Sequence, residues 1–585
     1  MFDRASTFGE TLDHPAGRAV LEKHLPGIAA SPMAAQFRDA RLGQLVALAQ
    51  ELEDPAARQR LWDALAEIGD GTHAPRQYGA AIEPDPDYEG DDVPRGSASV
   101  TLPQTVARWD VLEVRLDGPS HGNPFVDVEV DAVFTRPDGS DVRVGGFYDG
   151  DGVYLVRALA DAEGEWSFLT RSTARSLDGI VGTASVGAAR EGSHGPVQVD
   201  GFHFRHADGT RHVPLGTTAY AWTHQSDELQ EQTLATLAEA PFTKIRMCLF
   251  PKSYLFNANE PSDFVFVGSL EDGFDHTRFD PAHFRRLEQR IAQLAELGIQ
   301  ADLILFHAYD RWGFADMGPA VDERYLRYVV RRLAAFANVW WSMANEYDLM
   351  WSNEIEDWER LAAVVGEEDA FGHLNSIHNC RPFYDYSEPW ITHVSVQRVD
   401  VYRTAENTDE WRERWGKPVV IDECAYEGDI DQGWGNITGE EMTRRFWEGA
   451  VRGGYVGHGE TYLPHPDTDE VLWWSKGGEL HGTSPDRIRF LLDLQAEAPE
   501  GVWDPLPSDW DVPWGGVADS HRVAYFGFNR PRFRHVVLPE GEWTIDVIDT
   551  WNMTITRVPG THRGTVRVDL PGRQYMAVRC IRVPA

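Results

Sequence analysis

At 585 residues the chain is too long for one ordinary domain, and about 150 residues per domain gives three or four. Hydrophobic residues make up 42%, with 21 Trp and 27 Phe, which is enough for large cores and excludes wholesale disorder. The formal net charge of −39, from 93 acidic against 54 basic residues with no long Lys/Arg cluster, makes nucleic acid and membrane surfaces poor partners.

The leader, residues 1–75, carries helical periodicity from residue 13 to about 70: Val20, Leu21, Leu25 and Ile28, then Phe37, Leu42, Leu45, Leu48 and Leu52, then Leu61, Leu65 and Ile68. Three short amphipathic helices are expected, the first segment broken by Pro26 and Pro32 and the third opened by Pro55. This leader carries no chemistry and is expected to pack on the barrel, with a subunit contact as the alternative, so a homo-oligomer stays open. The N-terminus shows no basic start followed by an apolar core, and no uncharged apolar run reaches about 20 residues. Cys248, Cys380, Cys424 and Cys580 are widely spaced and read as reduced thiols, so a cytoplasmic protein without a metal site is expected.

Residues 76–96 form an acidic linker whose EPDPDYEGDDVPRG run lacks calcium-loop spacing. Residues 97–200 switch to period two in VLEVRL, VDVEVDAVF and GVYLVRALA, which predicts a β-sandwich packing on the barrel and shaping one wall of its mouth. Residues 201–505 alternate strands and helices, the pattern of a (β/α)8 TIM barrel. Strands are expected near 213–219, 243–249, 299–306, 338–344, 374–379, 392–397, 418–422 and 454–459, with a helix closing at Gly298 in a left-handed cap. Residues 506–585 return to period two and predict a small antiparallel β domain. The fold class is therefore multidomain α/β.

The stretch that organises the chain is NVWWSMANEYD, Asn338–Asp348, an apolar run that breaks into Asn345, Glu346, Tyr347 and Asp348. Such a run fits a strand buried on both faces, and the C-terminal ends of barrel strands face the cleft. KPVVIDECAYEGD, from Lys417, repeats the pattern and ends in Asp422 and Glu423. Glu423 follows Glu346 by 77 positions, which three barrel units of roughly 25 to 30 residues account for. Either Glu alone is more often a salt-bridge partner; together, at that interval, they suit glycoside hydrolysis by an acid/base and a nucleophile. Asp422 should turn away from the cleft by strand alternation, and Asp302 reads as a barrel-interior partner.

WSMANEYD and VVIDEC resemble the acid/base and nucleophile strands of clan A retaining glycoside hydrolases. TTAYAW, TKIRMCLFPKSY, FHAYDRWGF, SIHN and GHGETY look more closely like apiosidase-like multidomain glycosidases, with a β-sandwich ahead of the barrel; the likeness covers about residues 95–585. It implies Glu346 as acid/base, Glu423 as nucleophile, Arg246 after strand two as a donor to the nucleophile, and Asn345 as a sugar ligand. His307 and His378 end strands three and five and should point into the mouth. Gln397, ending strand six, stands where the clan often carries a Tyr or His beside the nucleophile. Tyr426 and Trp434 follow Glu423; His458 and Glu460 from strand eight are candidates for a terminal hydroxyl; Trp222 and Trp312 are candidates for ring stacking.

The expected activity is a retaining glycosidase, exo-acting on short oligosaccharides or glycosides under roof loops after strands two and eight. Its partner is a carbohydrate and it needs no cofactor. The alternatives are a non-catalytic carbohydrate-binding barrel and an inverting glycosidase. Carboxyls about 5 Å apart retain the anomeric configuration, and about 6.5 to 9.5 Å apart admit a water and invert it. Which sugar and linkage it takes is not legible in the sequence.

Overall fold

The structure, a computed structural model, describes residues 2–29, 38, 40–49, 52, 54–68, 78–254, 256, 260–400, 402–463 and 472–584. Pro32, Phe37, the first two residues of the expected linker and residues 255, 257–259 and 464–471 of the two expected roof loops lie outside the described residues.

The barrel strands are β1 (Gly216–Thr218), β2 (Lys244–Cys248), β3 (Gln300–His307), β4 (Val339–Asn345), β5 (Asn375–Ser376), β6 (Val394–Gln397), β7 (Val419–Glu423) and β8 (Tyr455–His458). Every residue of β2, β3, β4 and β7 is buried, as strands covered on both faces require. The hydrogen-bonded order is β5, β4, β3, β2, β1, β8, β7, β6, every pair parallel. A parallel bridge from His378 to Ser395 and the Thr392 N–H on Asn375 O, 2.8 Å, bring β5 and β6 together and complete the ring.

The helix Pro281–Glu296 shows how the sequence sets these units. Asp280 caps it by accepting from the Ala282 N–H, and Pro281 occupies the first turn. Gly298 at φ +73 then turns the chain into β3, with the Ile299 N–H on Leu294 O at 2.8 Å, as the cap expectation requires.

The N-terminal strands from Ser99 to Gly187 form two faces around one core that includes Val114, Phe134, Trp166 and Phe168. Asp141–Tyr148 belongs to both faces: its first half pairs with Val130–Thr135 and its second with Val153–Leu159, the change falling at Gly145 and Gly146. This sandwich docks on the barrel's flank and also meets the hairpin in the loop after β2, where Asn123 Nδ2 donates to Thr277 O at 3.1 Å. What holds it on the flank is a buried ionic seam. Arg157 and Arg332 both donate to Glu288, at 2.8 and 2.6 Å, and Arg332 also reaches Asp149 at 2.7 Å, so the sandwich is bonded to the helices before β3 and β4. The C-terminal antiparallel sheet seals another flank, with Tyr525 stacked on Trp447 of helix Gly439–Ala450 at 5.3 Å.

The leader, by contrast, reaches the mouth. Its helices Pro15–His24, Leu42–Leu48 and Pro55–Ala66 share a core of Phe8, Leu21, Leu42, Leu45, Leu61 and Leu65. Gln44 donates to the Ala308 carbonyl just past β3 at 2.9 Å, and Arg41 lies 5.6 Å from the Trp351 ring in the loop after β4.

Candidate active site

Glu346 sits one residue beyond β4 and Glu423 is the last residue of β7; both are buried, at 5% and 7% exposure. Glu346 has φ +56, a left-handed conformation that costs a non-glycine residue roughly 1–2 kcal/mol. Its neighbours hold it there: the Tyr347 N–H bonds His378 O at 2.9 Å, and Glu346 O accepts from Leu349 N–H at 2.9 Å.

Each carboxylate has its own tyrosine. Tyr309 donates to Glu346 Oε2, and Tyr220 donates to Glu423 Oε1. Asn345 joins the two halves, its Nδ2 donating to Glu346 Oε2 at 3.3 Å and its Oδ1 lying 3.1 Å from the Tyr220 hydroxyl. Arg246 donates from Nη1 to Glu423 at 3.3 Å, and Nε2 of His378 lies 3.3 Å from the same oxygen. Tyr426 adds its hydroxyl 3.5 Å from that of Tyr220.

These surroundings drive the two acids apart. Burial, then the charge of Glu423, pushes the Glu346 carboxyl up to about 7 against the opposing pull of Tyr309 and Lys252. Burial would raise Glu423 as well, but His378, Arg246 and the Tyr220 hydroxyl more than reverse it and hold that carboxyl down at about 2.

One layer below, Lys244 pairs with Asp302 at 2.5 Å and Asp422 at 2.6 Å, all three buried. Asp302 is thus an interior partner as expected. Asp422 departs from the alternation argument by pointing inward beside Glu423. The register of β6 on β7 slips between Ser395 and Gln397, and this bulge gives β7 an extra residue, so consecutive acids both reach the interior. Ser395 Oγ donates to Asp422 at 2.6 Å and lies 3.1 Å from His378 Nδ1, which fixes the imidazole ring.

The other sequence candidates divide. Trp434 joins Tyr220, Tyr426 and Trp474 in an aromatic wall. His307 ends β3, its Nε2 3.2 Å from Phe250 O; burial and then the charge of Lys252 push its pKa down to about 3. Gln397 pairs with Glu423 through the backbone register, its own N–H bonding Asn379 Oδ1 at 3.2 Å. Trp222 and Trp312 lie in the hydrophobic core rather than free for stacking, the second with its Nε1 on Glu260 at 2.9 Å.

His458 and Glu460 are engaged elsewhere. Glu460 accepts from the N–H groups of His481 and Gly482 at 2.7 and 2.9 Å, while Glu427 accepts from those of Thr483 and Ser484 at 2.7 and 3.1 Å. Glu427, His458 and Glu460 have ligand-type atoms within 4.8 Å of one another. The bonds that Glu427 and Glu460 make clamp the end of the loop after β8 onto the start of helix Ser484–Ala496, while His458 Nδ1 lies 3.1 Å from the Thr217 hydroxyl.

Sequence reasoning missed Tyr220, Lys252, Tyr309 and Trp474. The first three fall two to four residues beyond the ends of β1, β2 and β3, in TTAYAW, FPKSY and FHAYD, so the rule that found Glu346 would have reached them if carried past the last strand residue. Lys252 is buried with its ammonium 3.5 Å from the Tyr220 ring, 4.4 Å from Tyr309 and 4.6 Å from Trp474. Burial lowers its pKa.

A closed parallel barrel carrying two buried carboxylates at the ends of β4 and β7 is the framework of a glycoside hydrolase. Comparison with known proteins agrees. The family model for the apiosidase-like catalytic domain matches residues 199–465, flanked by matches to the domains of unknown function DUF5060 at 105–173 and DUF5605 at 510–581. The structure of a candidate glycoside hydrolase from Bacteroides vulgatus ATCC 8482 is 36% identical with a TM-score of 0.76, covering 82% of this chain and 100% of its own. A glycoside hydrolase family 5 protein from the same organism shares the fold at 15% identity and a TM-score of 0.52, covering 66% of this chain and 94% of its own. No curated protein matches. The chain belongs to the glycoside hydrolases, and its barrel matches the apiosidase-like catalytic domain.

Proposed function

We propose that the enzyme is a retaining glycosidase in which Glu423 is the nucleophile and Glu346 the acid/base. The observation that carries this division of roles is the contrast in surroundings: Glu346 is met by Tyr309 and Asn345, whereas Glu423 faces the Arg246 guanidinium, His378 and the Tyr220 hydroxyl. In the first step the Glu423 carboxylate forms a bond to the anomeric carbon as the glycosidic bond breaks, and Glu346 gives its proton to the leaving oxygen. The ester that results removes the negative charge that had raised Glu346. Glu346 then stays ionised, takes a proton from water, and the hydroxide equivalent attacks the anomeric carbon to release Glu423.

Within this reading Arg246 and His378 keep Glu423 ionised, and Asn345 is placed to bond the sugar hydroxyl beside the anomeric carbon. The aromatic wall of Tyr254, Trp434 and Trp474 and the leader at the rim favour a closed-ended pocket, hence exo action on short glycosides. Four free cysteines, three of them buried, favour a reducing compartment such as the cytoplasm, and among the described residues no helix is long and apolar enough to cross a membrane. A panel of aryl pyranosides and furanosides tests the assignment: turnover lost in both Glu346→Gln and Glu423→Gln supports it, and turnover kept in both refutes it. NMR of the first-formed anomer separates retention from inversion.

A further inference from the structure

Lys252 has no assigned role, and its setting is unusual for a buried cation. Ammonium groups in protein interiors are normally paired with carboxylates. Among the described residues, Lys252 makes no ion pair and no hydrogen bond; three aromatic faces surround it instead. Two of those faces are Tyr220 and Tyr309, the same rings whose hydroxyls hold Glu423 and Glu346. The ammonium therefore sits against the two rings that serve the two carboxylates and bonds to neither carboxylate.

Aromatic faces attract a cation but are weak hydrogen-bond acceptors. An oxygen lone pair brought next to this ammonium outcompetes them, and in the pocket that oxygen comes from the bound sugar. We propose that Lys252 is a substrate-binding and specificity-determining residue that donates to one or two hydroxyl oxygens of the sugar held between Glu346 and Glu423. Hydroxyls fit better than a sugar carboxylate, because a second anion at that place would face the ionised Glu423. The substrate class is then a neutral glycoside. This rests on the assignment of Glu346 and Glu423 made above.

The test compares the wild type, Lys252→Met and Lys252→Arg on the best aryl glycoside, on its monodeoxy analogues and on the matching uronide, with thermal unfolding to confirm folding. A lost charge-assisted hydrogen bond should cut kcat/KM about 10- to 100-fold in Lys252→Met, mainly through KM, with partial recovery in Lys252→Arg. At least one deoxy substitution should penalise the wild type and leave Lys252→Met indifferent, which a packing role would not produce. If Lys252→Met fails to fold, the same deoxy pattern is read in Lys252→Arg, where the penalty should shrink. Equal deoxy penalties in all folded variants, or a wild-type preference for the uronide that Lys252→Met abolishes, would overturn the inference. Turnover that survives Glu423→Gln would instead overturn the assignment beneath it.

Discussion

His378 places its Nε2 3.3 Å from Oε1 of Glu423. On the ring's other side Nδ1 is 3.1 Å from Ser395, whose hydroxyl donates to Asp422, itself paired with Lys244. The environment of Glu423 is thus anchored to the barrel's ionic interior.

The pH profile should show each tyrosine's hand separately. The proposed mechanism needs Glu423 ionised and Glu346 protonated, so kcat/KM should fall on the alkaline side near 7. The Tyr309 hydroxyl lowers Glu346, so Tyr309→Phe should move the alkaline limb to higher pH. The Tyr220 hydroxyl lowers Glu423, so Tyr220→Phe should move the acid limb up. Profiles of the two variants that shift the same limb would contradict the division of roles.

Glu346 should also leave a mark on stability. Its carboxyl is raised in the folded protein from an ordinary 4.5 to about 7, so folding takes up a proton between those values and stability falls as pH rises through that window. Glu346→Gln carries no such penalty. Its Tm should exceed that of the wild type by more at pH 8 than at pH 4, measured by calorimetry of the barrel transition.

Lys244 balances Asp302 and Asp422 with no water access. Lys244→Met strands two buried carboxylates and should destabilise the barrel by about 3–5 kcal/mol, read from denaturant unfolding. Replacing all three by apolar residues should cost much less.

The loop after β8 is held by Glu427 and Glu460 through backbone N–H groups. In Glu427→Ala, amide exchange at Thr483 and Ser484 should speed up by about tenfold or more, while exchange in helix Pro281–Glu296 stays unchanged. Because donors already occupy both carboxylates, a chelator should leave the wild-type Tm where it was.

What the sequence disclosed follows burial. β3, β4 and β7 were legible because a strand covered on both faces must be apolar until its cleft end, so Glu346 and Glu423 stood out. β5 is only Asn375–Ser376, shorter than the expected 374–379, although His378 still bonds β4 through its N–H on Ala344 O at 3.1 Å and also bridges to Ser395. Alternation failed at Asp422 because a bulge depends on the partner strand's register. The sandwich's docking on the flank, and the cage of Tyr220, Tyr309 and Trp474 around Lys252, arise from distant segments meeting in space, and no local period encodes that. Gln44 on Ala308 shows the same for the leader: its helices were readable from their spacing, its place at the mouth was not.

The most direct test is mass spectrometry of the enzyme after reaction with a 2-deoxy-2-fluoro aryl glycoside of the sugar it hydrolyses. This substrate slows breakdown of a glycosyl-enzyme ester. The expected result is one glycosyl adduct per chain, on the peptide that contains Glu423, absent from Glu423→Gln. Full turnover with no adduct, or an adduct on another residue, would contradict a covalent route through Glu423.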